Sequence, residues 1–179
     1  MGIIIDSDGA RPDPQAEMRE ARERELFEAI GRFTVAWADL VSTLATGIDR
    51  LDRLAPMLGM QQSVTEDVKD LSLPFRRNLA KFFSLVGQRT PESEELKNVL
   101  SNQQLLLRCE QISQSFAIGR AAIPIGSTKV EVIKLSLGYD HEPIDGTTAE
   151  HLFDFAQRLN SMNMHIGYAM MVASRPPIQ

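Results

Sequence analysis

The most constraining feature of this chain is a run of apolar residues, Leu26, Ile30, Phe33, Trp37, Leu40, Leu44, Ile48 and Leu51, that recur at steps of three and four. A helix closes a turn every 3.6 residues, so these side chains share one stripe along about seven turns. A helix with one long apolar stripe has to bury it, and in a chain with this patterning the covering elements are further helices. The helical pattern begins at Glu17 and runs to about Leu54, ahead of the breakers Pro56 and Gly59. Before it, Ser7, Asp8, Gly9, Pro12, Asp13 and Pro14 are turn formers, so residues 1–15 read as a flexible leader and 16–179 as a single helical domain. Arg19 and Glu23, and Glu20 and Arg24, lie four residues apart and predict a solvated opening section. Gly31 and Gly47 mark expected places of close helix contact.

A second helical region is predicted after Thr65, with Ser72 near a cap and Pro74 in the first turn of its own helix. Leu79, Phe82, Phe83 and Val86 form its apolar face. Thr90-Pro91-Glu92 supplies a hydroxyl, a proline and a carboxylate in the order that opens a third helix, whose face continues through Leu96, Leu100, Gln103, Leu107 and Ile112. The period changes after Gly119. Residues 123–128 read as a turn, 130–137 as a strand of a small hairpin and 138–146 as a polar loop. Thr147-x-x-Glu150 predicts a capping box for a last helix striped by Leu152, Phe155, Leu159, Met162, Ile166 and Met170 and closed by Pro176 and Pro177. The expected fold is mainly α, a bundle of four to five helices with a small β-hairpin before the C-terminal helix.

Charge and cysteine content narrow the function classes. The net charge is −5, so a uniformly basic nucleic-acid surface is excluded while a local basic patch is not. Arg outnumbers Lys by 14 to 5, which favours paired contacts with carboxylate or phosphate. The single cysteine, Cys109, rules out an internal disulfide and a multi-cysteine zinc site. No apolar run approaches the roughly 20 residues that a bilayer requires. The opening residues lack the basic flank and apolar length of a secretory signal, so a cytoplasmic protein is expected, with neither cofactor nor metal.

Three stretches carry a likeness to known proteins: Ile30-Gly31-Arg32-Phe33-Thr34-Val35-Ala36-Trp37-Ala38-Asp39-Leu40, a helix over 105–119 leading into a hairpin, and 147–159, where a capping threonine precedes Leu152-x-x-Phe155-Ala156. Together they resemble a bacterial branch of the HEPN superfamily, helical-bundle domains often tied to RNA cleavage in defence and toxin systems. The resemblance implies a dimeric helical module with a protein or RNA partner. Active members carry an Arg, often followed by Asn or another polar residue, with four to six residues between that Arg and a His, at the end of the third helix. With Gly119 matched to the glycine after that His, Ile118 stands at the His position and Ser113 at the Arg position. An isoleucine neither donates nor accepts a proton, so the likeness implies an inactive site.

Other constellations compete with ordinary structural uses. Arg158 and His165 have the family's spacing and lie two turns apart on the last helix, where they could stabilise and protonate a phosphodiester. With 14 Arg and three His in the chain, one such pair is expected by chance. Ile3-Ile4-Ile5-Asp6-Ser7-Asp8-Gly9 looks like the first motif of haloacid-dehalogenase-type phosphatases, but that chemistry requires a parallel sheet and later Lys and Asp residues. Asp140, His141, Glu142 and Asp145 form a candidate cation loop, and Arg76, Arg77, Asn78 and Lys81 a candidate phosphate patch. A solvated loop and a wet helix face are the plainer readings of these two. Met162, Met164, Met170 and Met171 form either an adaptable partner surface or core. Cys109 has no nearby His and reads as a buried thiol, and Trp37 as core. The reading that follows is a non-catalytic HEPN-like helical binding or dimerisation module, working as a homodimer with a protein or RNA partner. The alternative is a metal-independent ribonuclease that uses Arg158 and His165.

Overall fold

The computed structural model describes residues 14–60, 74–122, 129–134 and 141–176, with main chain alone over 118–147. The protein is mainly α-helical. Among the described residues there are five helices, α1 (Pro14–Leu54), α2 (Pro74–Arg89), α3 (Glu94–Ser101), α4 (Gln103–Ile118) and α5 (Ala149–Ala173). Three strands, β1 (Gly119–Ala122), β2 (Lys129–Lys134) and β3 (His141–Thr148), pair antiparallel in that order between α4 and α5.

Helix α1 starts at Pro14, inside the segment expected to be a leader, because proline at the first helical position already has the right φ and lacks only an N–H that needs no partner there. The rest of that leader, the Ile3–Gly9 motif, the region after Thr65 with Ser72, and the turn over 123–128 lie outside the described residues. All of 14–25 is exposed, and burial begins at Leu26. Leu26, Phe33, Leu40, Leu44, Ile48 and Leu51 are buried as expected. Ile30 and Trp37 sit at the margin, packed against the core, with Trp37 beside the Phe75 ring at 4.7 Å. After α1 the chain closes with Met60 N–H donating to the Ala55 carbonyl across Gly59, whose φ of +67° suits glycine.

The largest interface joins α1 to α5. Its level marks rise together: Arg32 lies over the Phe153 ring, Thr43 faces Gly167, and Gly47 faces Met170. The first and last helices therefore run parallel. A Cβ at Gly47 would overlap the Met170 side chain, so this glycine does mark a close approach, whereas at Gly31 a Cβ would meet nothing. Helix α2 runs the same way, since its end meets the end of α5: Arg89 donates through its guanidinium to the Ala173 and Arg175 carbonyls. Helices α3 and α4 run back, with Leu96 near Gly87 at the end of α2 and Glu110 bonded to Arg76 at its start. Phe116 then meets Phe33 edge-on at 6.0 Å.

Four expectations need correction. The third helix is capped by Ser93, whose hydroxyl accepts from Leu96 N–H, and not by Thr90. Thr90 precedes a proline, which disfavours helical backbone there, and its hydroxyl donates to the Val86 carbonyl, ending α2 instead. The buried face of α3 and α4 is Leu96, Val99, Leu106, Cys109 and Ile112, with Leu100 exposed. Leu105, Leu106 and Leu107 fan over much of the helix circumference, so hydropathy alone does not set the phase. The segment expected as a polar loop contains β3, and the cap of α5 is Thr148, which accepts from His151 N–H at 3.2 Å, not Thr147. Pro143 is tolerated because β3 is an edge strand. Between Lys129 and Glu131 of β2, the partner moves from Thr148 to Pro143, so β3 carries the extra residues of a bulge.

Phe33 is fully buried and Val35 exposed on the same helix. Phe33→Ala is expected to lower stability in chemical denaturation by about 3–5 kcal/mol, followed by Trp37 fluorescence, and Val35→Ala by less than about 0.5 kcal/mol.

Candidate binding groove

Two of the charged side chains singled out in the sequence, Arg76 and Lys81, hold helices together. Arg76 Nε donates to Glu110 Oε2 at 2.7 Å, and Glu110 is only 3 % exposed. Lys81 donates to Asp52 at 3.1 Å, fastening α2 to α1. Two members of the expected phosphate patch are thus internal clamps. Of the expected cation loop, Asp140 lies outside the described residues, and only the main chain of His141, Glu142 and Asp145 is described, in β3. Among the described residues no group of His, Cys, Asp or Glu is placed to hold a metal ion.

Arg158 is exposed and pairs with Asp154 one turn away at 3.7 Å. His165 is half-buried. Seven residues separate them, about 10 Å along the axis at 1.5 Å per residue. Arg158 lies near enough to Cys109 on α4 for its charge to act on the thiol. Ser113 is half-buried on α4, and Ile118 is that helix's last residue. Neither Arg158 nor His165 lines the grooves described next.

Two grooves lie end to end between α1 and α5. The first, of about 910 Å³, is lined by Gly31, Arg32, Val35 and Asp39 opposite Phe153, Gln157 and Asn160. The second, of about 360 Å³, is lined by Ser42, Thr43, Thr46 and Arg50 opposite Gly167, Met171 and Ser174. The four methionines divide here. Met162 and Met170 are core, whereas Met164 and Met171 are exposed, Met164 at 77 %. With Tyr168, these two exposed methionines form a stripe at steps of four and three along α5. Val35 continues the exposed apolar surface on α1. Sequence reasoning weighed a partner surface against core for the four methionines and did not single out Val35, Asp39, Arg50 or Tyr168. The available signal was the second apolar spacing on the last helix, displaced from the core stripe.

Cys109 is buried, and loss of hydration pushes its thiol up to about 12 against the opposing pull of Arg108 and Arg158. A thiol reagent at pH 8 is expected to label the folded protein no faster than it unfolds, and to label it at once in denaturant, as read by absorbance. Because the folded value lies above the unfolded one, this thiol's contribution to stability is complete below about pH 9 and is lost as pH rises towards 12. Removing a partner from a buried ion pair strands the other charge. Arg76→Ala is therefore expected to cost about 3–5 kcal/mol in denaturant unfolding, and Arg158→Ala, on an exposed pair, less than about 1 kcal/mol. No helix among the described residues is long and apolar enough to cross a membrane. Compared with protein-family models, with curated proteins and with solved structures, the chain gives no match.

Proposed function

We propose that the protein is a non-catalytic, HEPN-like helical association module that works in the cytoplasm as a homodimer. On this reading it acts by holding a protein or RNA partner. The observation that carries the association reading is the uncovered α1–α5 face, where Val35, Met164, Tyr168 and Met171 are exposed around a groove. A soluble chain gains from covering contiguous apolar surface, and grooves rimmed by polar groups are where partners dock. Two further points support a role without catalysis. Ser113 and Ile118 stand where the resemblance requires Arg and His, and neither can hold and move a proton as those residues do. Arg158 is paired with Asp154, and it and His165 stand apart from the groove.

The test is incubation of the full chain with structured and unstructured RNA, without added metal, beside a His165→Ala variant. Intact RNA with both proteins is expected on gels. Cleavage by the parent that disappears in the variant would establish the ribonuclease alternative and end the non-catalytic reading.

A further inference from the structure

Asp39 and Arg50 are both exposed on the groove side of α1, and neither has a hydrogen bond or ion pair among the described residues. They are three turns apart, about 16 Å along the axis and within about 20° of one line, too far to pair with each other. Their midpoint lies between Thr43 and Thr46, flanked by Ser42 and Gly47, where small side chains permit close approach. On α5 the exposed Met164 and Met171 straddle Gly167 and Tyr168. Thr43 faces Gly167 across the helix pair, so the two midpoints stand at one level.

A two-fold axis drawn across both helices at that level makes the face complementary to itself. It lays α1 antiparallel on α1 of another copy, with Asp39 opposite Arg50 twice, and lays Met164 against Met171, with Tyr168 near its own counterpart. A two-fold axis running along the helices would instead lay α1 on α5. The groove side of α5 offers Phe153, Gln157, Asn160, Met164 and Met171, none charged, so Asp39 and Arg50 would be desolvated without an opposite charge to meet. Symmetric about the axis drawn across both helices, the overlap runs from Val35 to Leu54 on α1, about 30 Å, and from Met162 to Ala173 on α5, about 18 Å; with each helix roughly 10 Å wide the footprint is about 500 Å² per partner, the size of a weak, reversible interface. We propose that a second copy of this chain docks on the α1–α5 face in the antiparallel register, fixed by the two Asp39–Arg50 pairs. This rests on the association reading and adds that the second copy itself occupies that face, and in which register.

Charge reversal separates these claims. By sedimentation equilibrium the parent is expected to be a dimer whose association weakens on raising salt. Asp39→Arg and Arg50→Asp, each checked for unchanged helix content, should each weaken association roughly ten-fold or more, because like charges then meet twice. The double variant restores opposite charges and should return to within roughly three-fold of the parent. A parent dimer indifferent to both single changes would overturn this face while leaving dimerisation standing. Single changes that weaken association without rescue in the double variant would overturn the register. A parent that stays monomeric at every concentration reached would overturn the docking itself, and the RNA experiment addresses the non-catalytic reading independently.

Discussion

The parallel packing of α1 against α5 is the contact on which the remaining structure depends. Leu40, Leu44, Leu159 and Ile166 are fully buried along it, each worth on the order of 1.5–3 kcal/mol relative to exposure. Two parallel helices cannot be joined by a short loop, so the chain has to return to the starting end before α5 begins. Helices α3 and α4 make that return, and the three-stranded sheet turns the chain at the end where α5 starts. Parallel helices also bring like dipole ends together. The end of α5 is met by Arg89 from α2, whose guanidinium bonds the Ala173 and Arg175 carbonyls that the helix leaves without partners. The buried Arg76–Glu110 pair works differently. Its desolvation offsets much of its attraction, so its main effect is to fix how far α2 slides along α4.

The fold was legible where one residue pattern had a single solution. The longest apolar stripes, Leu26 to Leu51 on α1 and Leu152 to Met170 on α5, are buried as read except at Ile30 and Trp37, which lie at the margin of the core. The third helix was harder because Leu105, Leu106 and Leu107 face different ways, so two stripes were equally apolar and packing chose between them. The caps failed for a related reason. Thr90 and Ser93, like Thr147 and Thr148, are alternative hydroxyls near one helix start, and only main-chain geometry decides which is extended with its oxygen at the N–H of the third residue. Strand β3 was unreadable from side chains. His-Glu-Pro-Ile-Asp-Gly-Thr-Thr has poor strand character, and its place follows from main-chain pairing with β2.

The site was less legible than the fold, for a chemical reason. Reading for catalysis selects residues able to move protons or hold ions, and it selected Arg76, Lys81, Arg158 and His165. Folding places the first two in interhelical ion pairs, and leaves the other two apart from the grooves. Asp39, Arg50, Val35 and Tyr168 carry no motif. Each is an ordinary surface residue in a linear sequence, and they become a set only when the α1 and α5 levels are known.

On the proposed docking face, the same geometry would let one helix serve two surfaces. On α1 the core stripe of Phe33, Leu40 and Leu44 and the outer line of Asp39, Thr46 and Arg50 are offset around the axis, so changes on the outer line leave the core contacts in place. Small residues on that line serve both surfaces: Gly47 lets Met170 approach from α5, and Ser42 and Thr46 keep the outside low enough for another helix to come near. A surface evolved only for solubility gains most from long charged side chains at such positions. Here the middle of the line is short and uncharged, and at its two ends stand opposite charges that have no partner among the described residues. That distribution disfavours a generic solvated face and favours an antiparallel helical neighbour.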